Sequence, residues 1–236
     1  MRFNDRNELE DQFIDTKKRS IYNVSKIGEL LMRLHYKKAF NGDMNSLPKH
    51  PHEPGAVKFK EIDDFNKLSI TLNLLSFLLL IILLIIDVLA FKHFDFTSKA
   101  GLIGLCLSFL VLIPHEFLHA ICFKGDVEMY TALNKGMLFV TGTETFSKSR
   151  FVFMSLLPNL VFGFLPWIVA LLFQDWSISQ ILIVLGTVAI AQGIGDYYNV
   201  FNALTQMPKG ARCYLYGMNT YWYMPQQNKK NRTPKK

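Results

Sequence analysis

Two histidines and a glutamate in one short run have the types and spacing to bind a metal ion. His115, Glu116 and His119 form the pattern HExxH, with the histidines four residues apart. A helix turns about 100° per residue, so both imidazoles lie on one face and can reach a single ion. Glu116, next to the first histidine, can take a proton from a water that the ion activates. The pattern therefore predicts a Zn²⁺ site with a general base.

The surroundings of this pattern are apolar, and they read LIGLCLSFLVLIPHEFLHAICF. Ionisable side chains in a membrane-length helix are costly unless they have partners, so we expect these three to be functional. The alternative is two histidines hydrogen-bonded within a helix bundle, with Glu116 protonated or paired. Pro114 can kink the helix and open the site to water, or it can be a tolerated membrane-helix proline.

The elements that must position these residues are membrane helices. The chain has 236 residues, 50% of them hydrophobic, and its mean hydropathy is +0.17. Four apolar segments, about 68–91, 100–123, 151–173 and 178–203, are each near the ~20 residues that span a bilayer. We therefore expect an all-α polytopic membrane protein with about four transmembrane helices.

The polar regions on either side of these helices predict three parts. Residues 1–66 form a cytoplasmic region with an amphipathic helix over 20–40 and a Pro- and Gly-rich linker over 41–56. The helix packs on the membrane domain or a partner, or it lies on anionic lipid. The four-helix metallopeptidase-like domain covers 67–208, and a basic cytoplasmic tail covers 209–236.

Basic residues predict the orientation of the helices. The net charge is +7, and residues 209–236 hold seven Lys/Arg and no acid. The N-terminal region, the 124–150 loop and the tail carry nearly all basic residues that flank the spans. The positive-inside rule therefore places both termini and this loop in the cytoplasm of a multi-pass cell-membrane protein. A basic tail of this kind indicates anionic lipid and no nucleic acid.

This orientation tests which acid lies at the depth of the histidines. His115 and His119 fall in the cytoplasmic third of the second span, and Asp196 falls at the same level of the fourth. Asp87 lies near the outer end of the first span, on the opposite side. A catalytic zinc site wants three protein ligands, so Asp196 is the best third ligand. Its alternative role is a helix cap or a partner for a basic residue beyond the span.

The sequences around the histidines and around Asp196 resemble those of a known protein family. HEFLH in a membrane segment, followed two spans later by GDYYN, resembles the "putative zincin peptidase" family of bacterial membrane proteins, a domain of unknown function. That family is similar in logic to the site-2 intramembrane metalloproteases. The resemblance covers roughly residues 60–210. It implies His115, His119 and Asp196 as zinc ligands and Glu116 as the catalytic base.

Several neighbours of Asp196 are further candidates. Gly193 and Gly195 let another helix approach closely or let their own helix open; ordinary small-residue packing is the alternative. Asn159 and Asn199 can hydrogen-bond a substrate carbonyl, and Asn199 can equally support Asp196.

The 124–150 loop contains β-forming residues in GMLFVTGTETF. This composition predicts a short β-hairpin whose edge pairs with an extended substrate. A plain connecting loop is the alternative.

The leading hypothesis is a zinc-dependent membrane metallopeptidase. It would hydrolyse peptide bonds of membrane-associated polypeptides near the cytoplasmic face, with the lipid bilayer and a protein substrate as its partners. One alternative is a metal transporter or sensor that uses the same ligands without hydrolysis. Such a path needs further ionisable residues across the bilayer, and the outer half offers only Asp87. The other alternative is an inactive scaffold whose HExxH is structural.

Overall fold

A computed structural model of the protein describes residues 33–226. The helices in this range are α1 (Phe65–Ala90), α2 (Lys99–Leu110), α3 (Leu112–Ala120), α4 (Lys148–Pro158), a π-helix (Asn159–Phe164), α5 (Leu165–Leu172), α6 (Ser179–Gln192) and α7 (Ile194–Gln206). The strands are β1 (Leu34–Ala39), β2 (Val57–Lys58), β3 (Val127–Ala132), β4 (Met137–Gly142), β5 (Thr145–Ser147), β6 (Arg212–Tyr216) and β7 (Asn219–Tyr223).

Three helical stretches in the described part are long and apolar enough to cross a membrane. They are α1, then α2 with α3 (Lys99–Ala120), then α4 to α5 (Lys148–Leu172). A fourth candidate is the pair α6 and α7, which is bent by 50° at Gly193. The span count therefore agrees with the expected four if the bent pair is one span. The local opening of the fourth segment, one of the two alternatives that its glycines left open, is what the structure shows, because the chain turns sharply before Asp196.

Polar side chains cap the first turns of α1, α2 and α4. Asp64 accepts a hydrogen bond from the Lys67 backbone N–H at 2.7 Å and begins α1. Ser98 caps α2 in the same way, and Ser147 caps α4. Such caps satisfy backbone donors that a helix cannot satisfy itself. These caps set where the first three spans begin.

The centre of the helical bundle is α6, which packs against α1, α2, α5 and the π-helix. Most of its residues are buried, and small ones such as Gly186, Thr187 and Ala189 lie on its packed faces. A side chain at Gly104 of α2 would come within 2.6 Å of the Ile181 backbone carbonyl. Without a driving force from water, membrane helices gain their contact from such close backbone approach.

Asp87 is buried inside this bundle and fully paired. The Trp167 indole N–H donates to one carboxylate oxygen at 2.8 Å, and the Thr187 hydroxyl donates to the other at 2.6 Å. The carboxylate joins three helices, because Asp87 belongs to α1, Trp167 to α5 and Thr187 to α6. A buried acid with both oxygens hydrogen-bonded is a structural contact between spans.

Two β-sheets lie outside the spans in sequence, so the expectation of an all-α protein is wrong. The first sheet has the order β1-β3-β4, and the antiparallel pair β3–β4 confirms the hairpin predicted in the 124–150 loop. The second has the order β2-β7-β6-β5. Hydropathy located the spans well, but strand pairs such as Val57↔Trp222 join segments far apart in sequence. Such pairs leave no local pattern.

The N-terminal region also differs from the prediction. Residues 34–39 of the expected amphipathic helix form β1, which pairs in parallel with β3. The remainder of that helix, before residue 33, lies outside the described residues. The linker after β1 is packed on the sheets: Gly217 donates its backbone N–H to the Pro48 carbonyl at 3.1 Å. The expected tail over 209–236 begins with the strand hairpin β6–β7, and the orientation in the membrane stays a prediction.

Candidate metal centre

The two histidines lie on α3, a short helix at the end of the second span. The preceding helix α2 ends at Leu110, and α3 begins at Leu112. Pro114 has no N–H for the Leu110 carbonyl, so the interruption falls where the proline removes a helical hydrogen bond. Beyond it α3 runs to Ala120, which puts His115 and His119 on one face.

The structure brings His115, His119 and Asp196 together at hydrogen-bond distance. The two Nε2 atoms of the histidines are 3.2 Å apart. Each of them lies 3.1 Å from an oxygen of the Asp196 carboxylate, His115 from Oδ2 and His119 from Oδ1. All three residues belong to one cluster of potential ligand atoms.

These distances fit a zinc ion. In a tetrahedral site with bonds of about 2.0–2.1 Å, neighbouring ligand atoms lie roughly 3.3 Å apart. The Nδ1 atom of His119 lies 2.9 Å from the Met154 carbonyl, which can only accept a hydrogen bond. A neutral His119 therefore carries its proton on Nδ1 and turns the Nε2 lone pair towards Asp196. Electron-pair donors that converge in this way are the chemistry of a cation site.

Asp196 reaches this cluster because the fourth span breaks. Gly193 separates α6 from α7, and Asp196 lies in the first turn of α7. A side chain at Gly193 would overlap the amide of Asn159. That amide donates to Asp196 Oδ2 at 2.7 Å. The missing side chain therefore lets the π-helix approach and hold the carboxylate, as was expected for a glycine at this position.

Glu116 lies beside the cluster without joining it. Its side chain is 7% exposed and lines the same cavity as His119 and Asp196. The carboxyl accepts a hydrogen bond from the backbone of Val140 in β4. Glu116 is thus held between the histidine face of α3 and the edge of a sheet, next to the space that a substrate would occupy.

Two cavities adjoin the cluster. One is lined by β4 and by residues around the β6–β7 turn, including Leu215 and Met218, and Asn199 also faces it. The other is lined by apolar residues such as Phe109 of α2 and Leu133 between β3 and β4, both exposed on the surface of the protein. Glu116 lines both cavities.

The chain after α3 is tied to α4 by an ion pair. Arg150 donates to the Glu144 carboxylate and to the Cys122 carbonyl. Burial alone would raise the pKa of Glu144, but the Arg150 guanidinium and the Lys124 backbone N–H bring that pKa below its usual value. Glu144 therefore links the chain after α3, at Lys124, to Arg150 of α4.

The sequence indicated some contacts of the cluster and missed others. Asn159 was expected to support a ligand or to bind a substrate carbonyl, and its amide contacts Asp196. Asn199, expected to support Asp196 or a substrate, lines the cavity. The Met154 carbonyl was missed, because a backbone atom leaves no mark in residue types. The Tyr197 hydroxyl, which donates to Asn159 Oδ1 at 3.3 Å, was missed as well.

Comparison with protein families gives an independent assignment of this region. Residues 108–212 match the family described as "Putative zincin peptidase". The match confirms the resemblance drawn from HEFLH and GDYYN. No curated protein and no solved structure matches the chain.

The zincin family match begins within α2 and ends at the start of β6. It therefore contains α3 with its histidines, the β3–β4 hairpin, the π-helix and Asp196. The parts outside the match are the first span, the linker and most of the β6–β7 hairpin. Those parts line or cover the cleft in this protein.

Proposed function

We propose that this protein is a zinc-dependent membrane metallopeptidase. One observation carries the proposal: His115, His119 and Asp196 present ligand atoms 3.1–3.2 Å apart, with Glu116 buried against the same cavity. Three ligands and an adjacent carboxylate are what hydrolysis requires. The family description "Putative zincin peptidase" supports the same reaction.

The chemistry divides between the ion and the chain. A zinc ion held by these ligands supplies a Lewis acid that polarises a scissile carbonyl and lowers the pKa of a water molecule. Glu116 takes one proton from the attacking water as the new C–O bond forms. It then delivers that proton to the leaving nitrogen as the C–N bond breaks. The products are a carboxyl group and an amine, and Glu116 is regenerated.

The edge of β4 provides the surface that would hold the substrate. Phe40 of the chain after β1 donates its N–H to the Thr131 carbonyl at 2.7 Å, so the odd-numbered residues of β3 face β1. The even-numbered residues of β3 then face β4, where Tyr130 pairs with Phe139. In an antiparallel ladder the intervening residues of β4, Leu138 and Val140, point their backbone groups away from β3.

This outward edge lies along the candidate site. Consecutive residues from Met137 to Thr141 line the cavity that contains Glu116 and Asp196. An extended peptide can add to such an edge through backbone hydrogen bonds, whatever its sequence. Bound there, its carbonyls would pass next to the metal ligands. The edge was predicted to pair with an extended substrate, and we propose that role for the outward backbone groups of Leu138 and for the Val140 carbonyl, since the Val140 N–H is directed at Glu116.

The cavity on the side of Phe109 favours a membrane-associated substrate. Phe109, Leu112 and Leu133 line that cavity, together with His115 and Glu116. Apolar residues at such an opening suit the apolar segment of a membrane polypeptide. We therefore propose polypeptides at the cytoplasmic face of the bilayer as the substrate class.

The transport alternative is less well supported. A cation path would need ionisable groups leading from the cluster to the outer face. Asp87 is the acid that the described spans place towards that face, and its two oxygens are occupied by Trp167 and Thr187.

A pair of variants tests the peptidase. Purified Glu116→Gln protein should keep its zinc and lose hydrolysis of a membrane-anchored reporter polypeptide by about 10²–10⁴-fold, because the general base is gone. His119→Ala should lose both zinc and hydrolysis. Full hydrolysis by Glu116→Gln would refute the role of this glutamate. Absence of zinc from the wild-type protein after zinc loading would refute the metal site.

The role of β4 has its own test. Leu138→Pro removes an outward N–H but leaves the bonds to β3, since proline is tolerated on edge strands. We expect lower kcat/KM with zinc content unchanged, while Leu138→Ala stays close to wild type. Equal kinetics for the two variants would show that peptides do not pair with this edge.

A further inference from the structure

The geometry points to Pro158 as the positioning residue of the metal centre, and this inference rests on the proposed zinc site. We infer that the proline frees backbone carbonyls of α4 and that these carbonyls hold two of the three ligands in place. Pro158 is inside the last turn of α4 and is not one of the three potential metal ligands.

The first freed carbonyl is that of Met154. In an α-helix the carbonyl of residue 154 accepts the N–H of residue 158, and proline has none. The Met154 carbonyl instead accepts the Nδ1–H of His119 at 2.9 Å. This bond sets the tautomer of His119 and leaves Nε2 for the ion. An ordinary residue at position 158 would supply an N–H that competes for the same oxygen.

The second freed carbonyl is that of Ser155. The Asn159 backbone N–H turns to the Leu156 carbonyl, three residues back, at the start of the π-helix. The Ser155 carbonyl accepts the Asn159 side-chain amide at 3.2 Å. The same amide nitrogen donates its other proton to Asp196 Oδ2 at 2.7 Å. The irregular turn after the proline therefore orients Asn159, and Asn159 orients the carboxylate.

The Met154 carbonyl and the Asn159 amide orient the ligands and do not themselves bind the ion. Partners of this kind are worth about 10–100-fold in metal affinity. Proline is unfavourable inside a helix, so its presence in α4 opposes helix stability. The ordering of His119 and Asp196 accounts for a proline at this position.

The test compares two proline variants in the full-length protein. Pro158→Ala should lower zinc affinity about 10–100-fold, with the unfolding midpoint of the zinc-free protein unchanged or raised. Pro166→Ala, at the start of α5, should leave zinc affinity unchanged. Unchanged zinc affinity in Pro158→Ala, or an equal loss in both variants, would overturn the inference. If Pro158→Ala does not fold, Pro158→Gly restores the N–H with less preference for the helix and replaces it.

A second measurement needs no bound metal. The ¹⁵N shifts of His119 in zinc-free protein report which ring nitrogen carries the proton. Wild-type protein should show the Nδ1–H form, and Pro158→Ala should show a mixture of forms. Wild-type protein that binds no zinc but shows this change would refute the peptidase and leave the positioning role supported. An unchanged tautomer in Pro158→Ala would refute the positioning role alone.

Discussion

Asp87 is a buried carboxylate and Asp196 a partly buried one, both within apolar helices, but their partners differ in kind. Asp87 meets two neutral donors, the Trp167 indole and the Thr187 hydroxyl. Asp196 receives one amide proton from Asn159 and otherwise faces the Nε2 atoms of two histidines. The oxygens of Asp87 accept hydrogen bonds from neutral donors. The oxygens of Asp196 lie beside histidine nitrogens that are potential metal ligands.

The difference separates a structural acid from a ligand. Donors on every side satisfy Asp87, so it needs no further partner and joins three helices. Around Asp196 a cation would complete the set of contacts. Burial alone is therefore a poor sign of function within a membrane, and the hydrogen-bonding character of the neighbours is the better one.

The strongest test of this difference makes the same substitution at Asp196 and at Asp87. Asp196→Asn should lower zinc affinity by more than about 100-fold, because a ligand matters more than the partners behind it. Asp87→Asn should keep zinc, since an amide can re-pair with Trp167 and Thr187. Metal analysis and reporter cleavage measure both. Retention of zinc by Asp196→Asn, or its loss from Asp87→Asn, would contradict the distinction.

The approach of Asn159 to Asp196 can be tested through the glycines. Gly193→Ala should displace Asn159 and lower zinc affinity about 10–100-fold. Gly195→Ala is the matched control, because its nearest neighbour would be Leu72 Cδ1 at 3.9 Å. Zinc titration of the two proteins gives the comparison, and equal affinities would mean that Asn159 does not orient the carboxylate.

At Asp87 the expected effect is on stability. Thr187→Val keeps the shape of the side chain and leaves Asp87 Oδ2 without its donor. Unfolding in detergent should become easier by about 1–3 kcal/mol, with zinc affinity unchanged. A change in zinc affinity as large as the one from Gly193→Ala would show that Asp87 serves the site.

Glu61, a partly buried carboxylate outside the spans, extends the comparison. Burial raises the pKa of Glu61 to about 7, although it accepts the Thr220 backbone N–H at 2.5 Å. The folded protein therefore keeps this proton where the unfolded chain, with an ordinary pKa of 4.5, has lost it. Stability should fall as the pH rises from 4.5 to 7, by at most about 1.4 kcal/mol per pH unit.

The check for Glu61 is a comparison of unfolding curves across that pH range. Glu61→Gln should remove this part of the pH dependence in zinc-free protein. Identical pH profiles for the variant and the wild type would show that Glu61 is not the group responsible.

The parts of the site that could be predicted are those that depend on residue spacing within one segment or on the depth of a residue in the membrane. The four-residue spacing of His115 and His119 is a property of any helix, and the apolar spans placed Asp196 at their level. The hairpin was predicted from β-forming residues around Gly142. These expectations needed no knowledge of which helices touch.

The remaining features depend on contacts between distant segments. The helix expected over 20–40 rested on apolar residues that recur at three and four from Ile21 to Leu34, yet pairing with β3 makes residues 34–39 a strand. The contacts of Asn159 and the Met154 carbonyl depend on how α4 meets α3 and α7. The bend at Gly193 was an open choice in the sequence, and the packing of the π-helix decides it.

The pairing of β2 with β7 has a consequence for the order of assembly. Val57 precedes the first span and pairs with Trp222, which follows the last one. The ribosome therefore makes one partner before any membrane helix and the other after all of them. Pairing over such a separation is slow, because the intervening chain must be ordered first. The wall of the cleft at Leu215 and Met218 therefore cannot form until the last span has been made, so a partly synthesised chain lacks the complete cleft around the metal ligands.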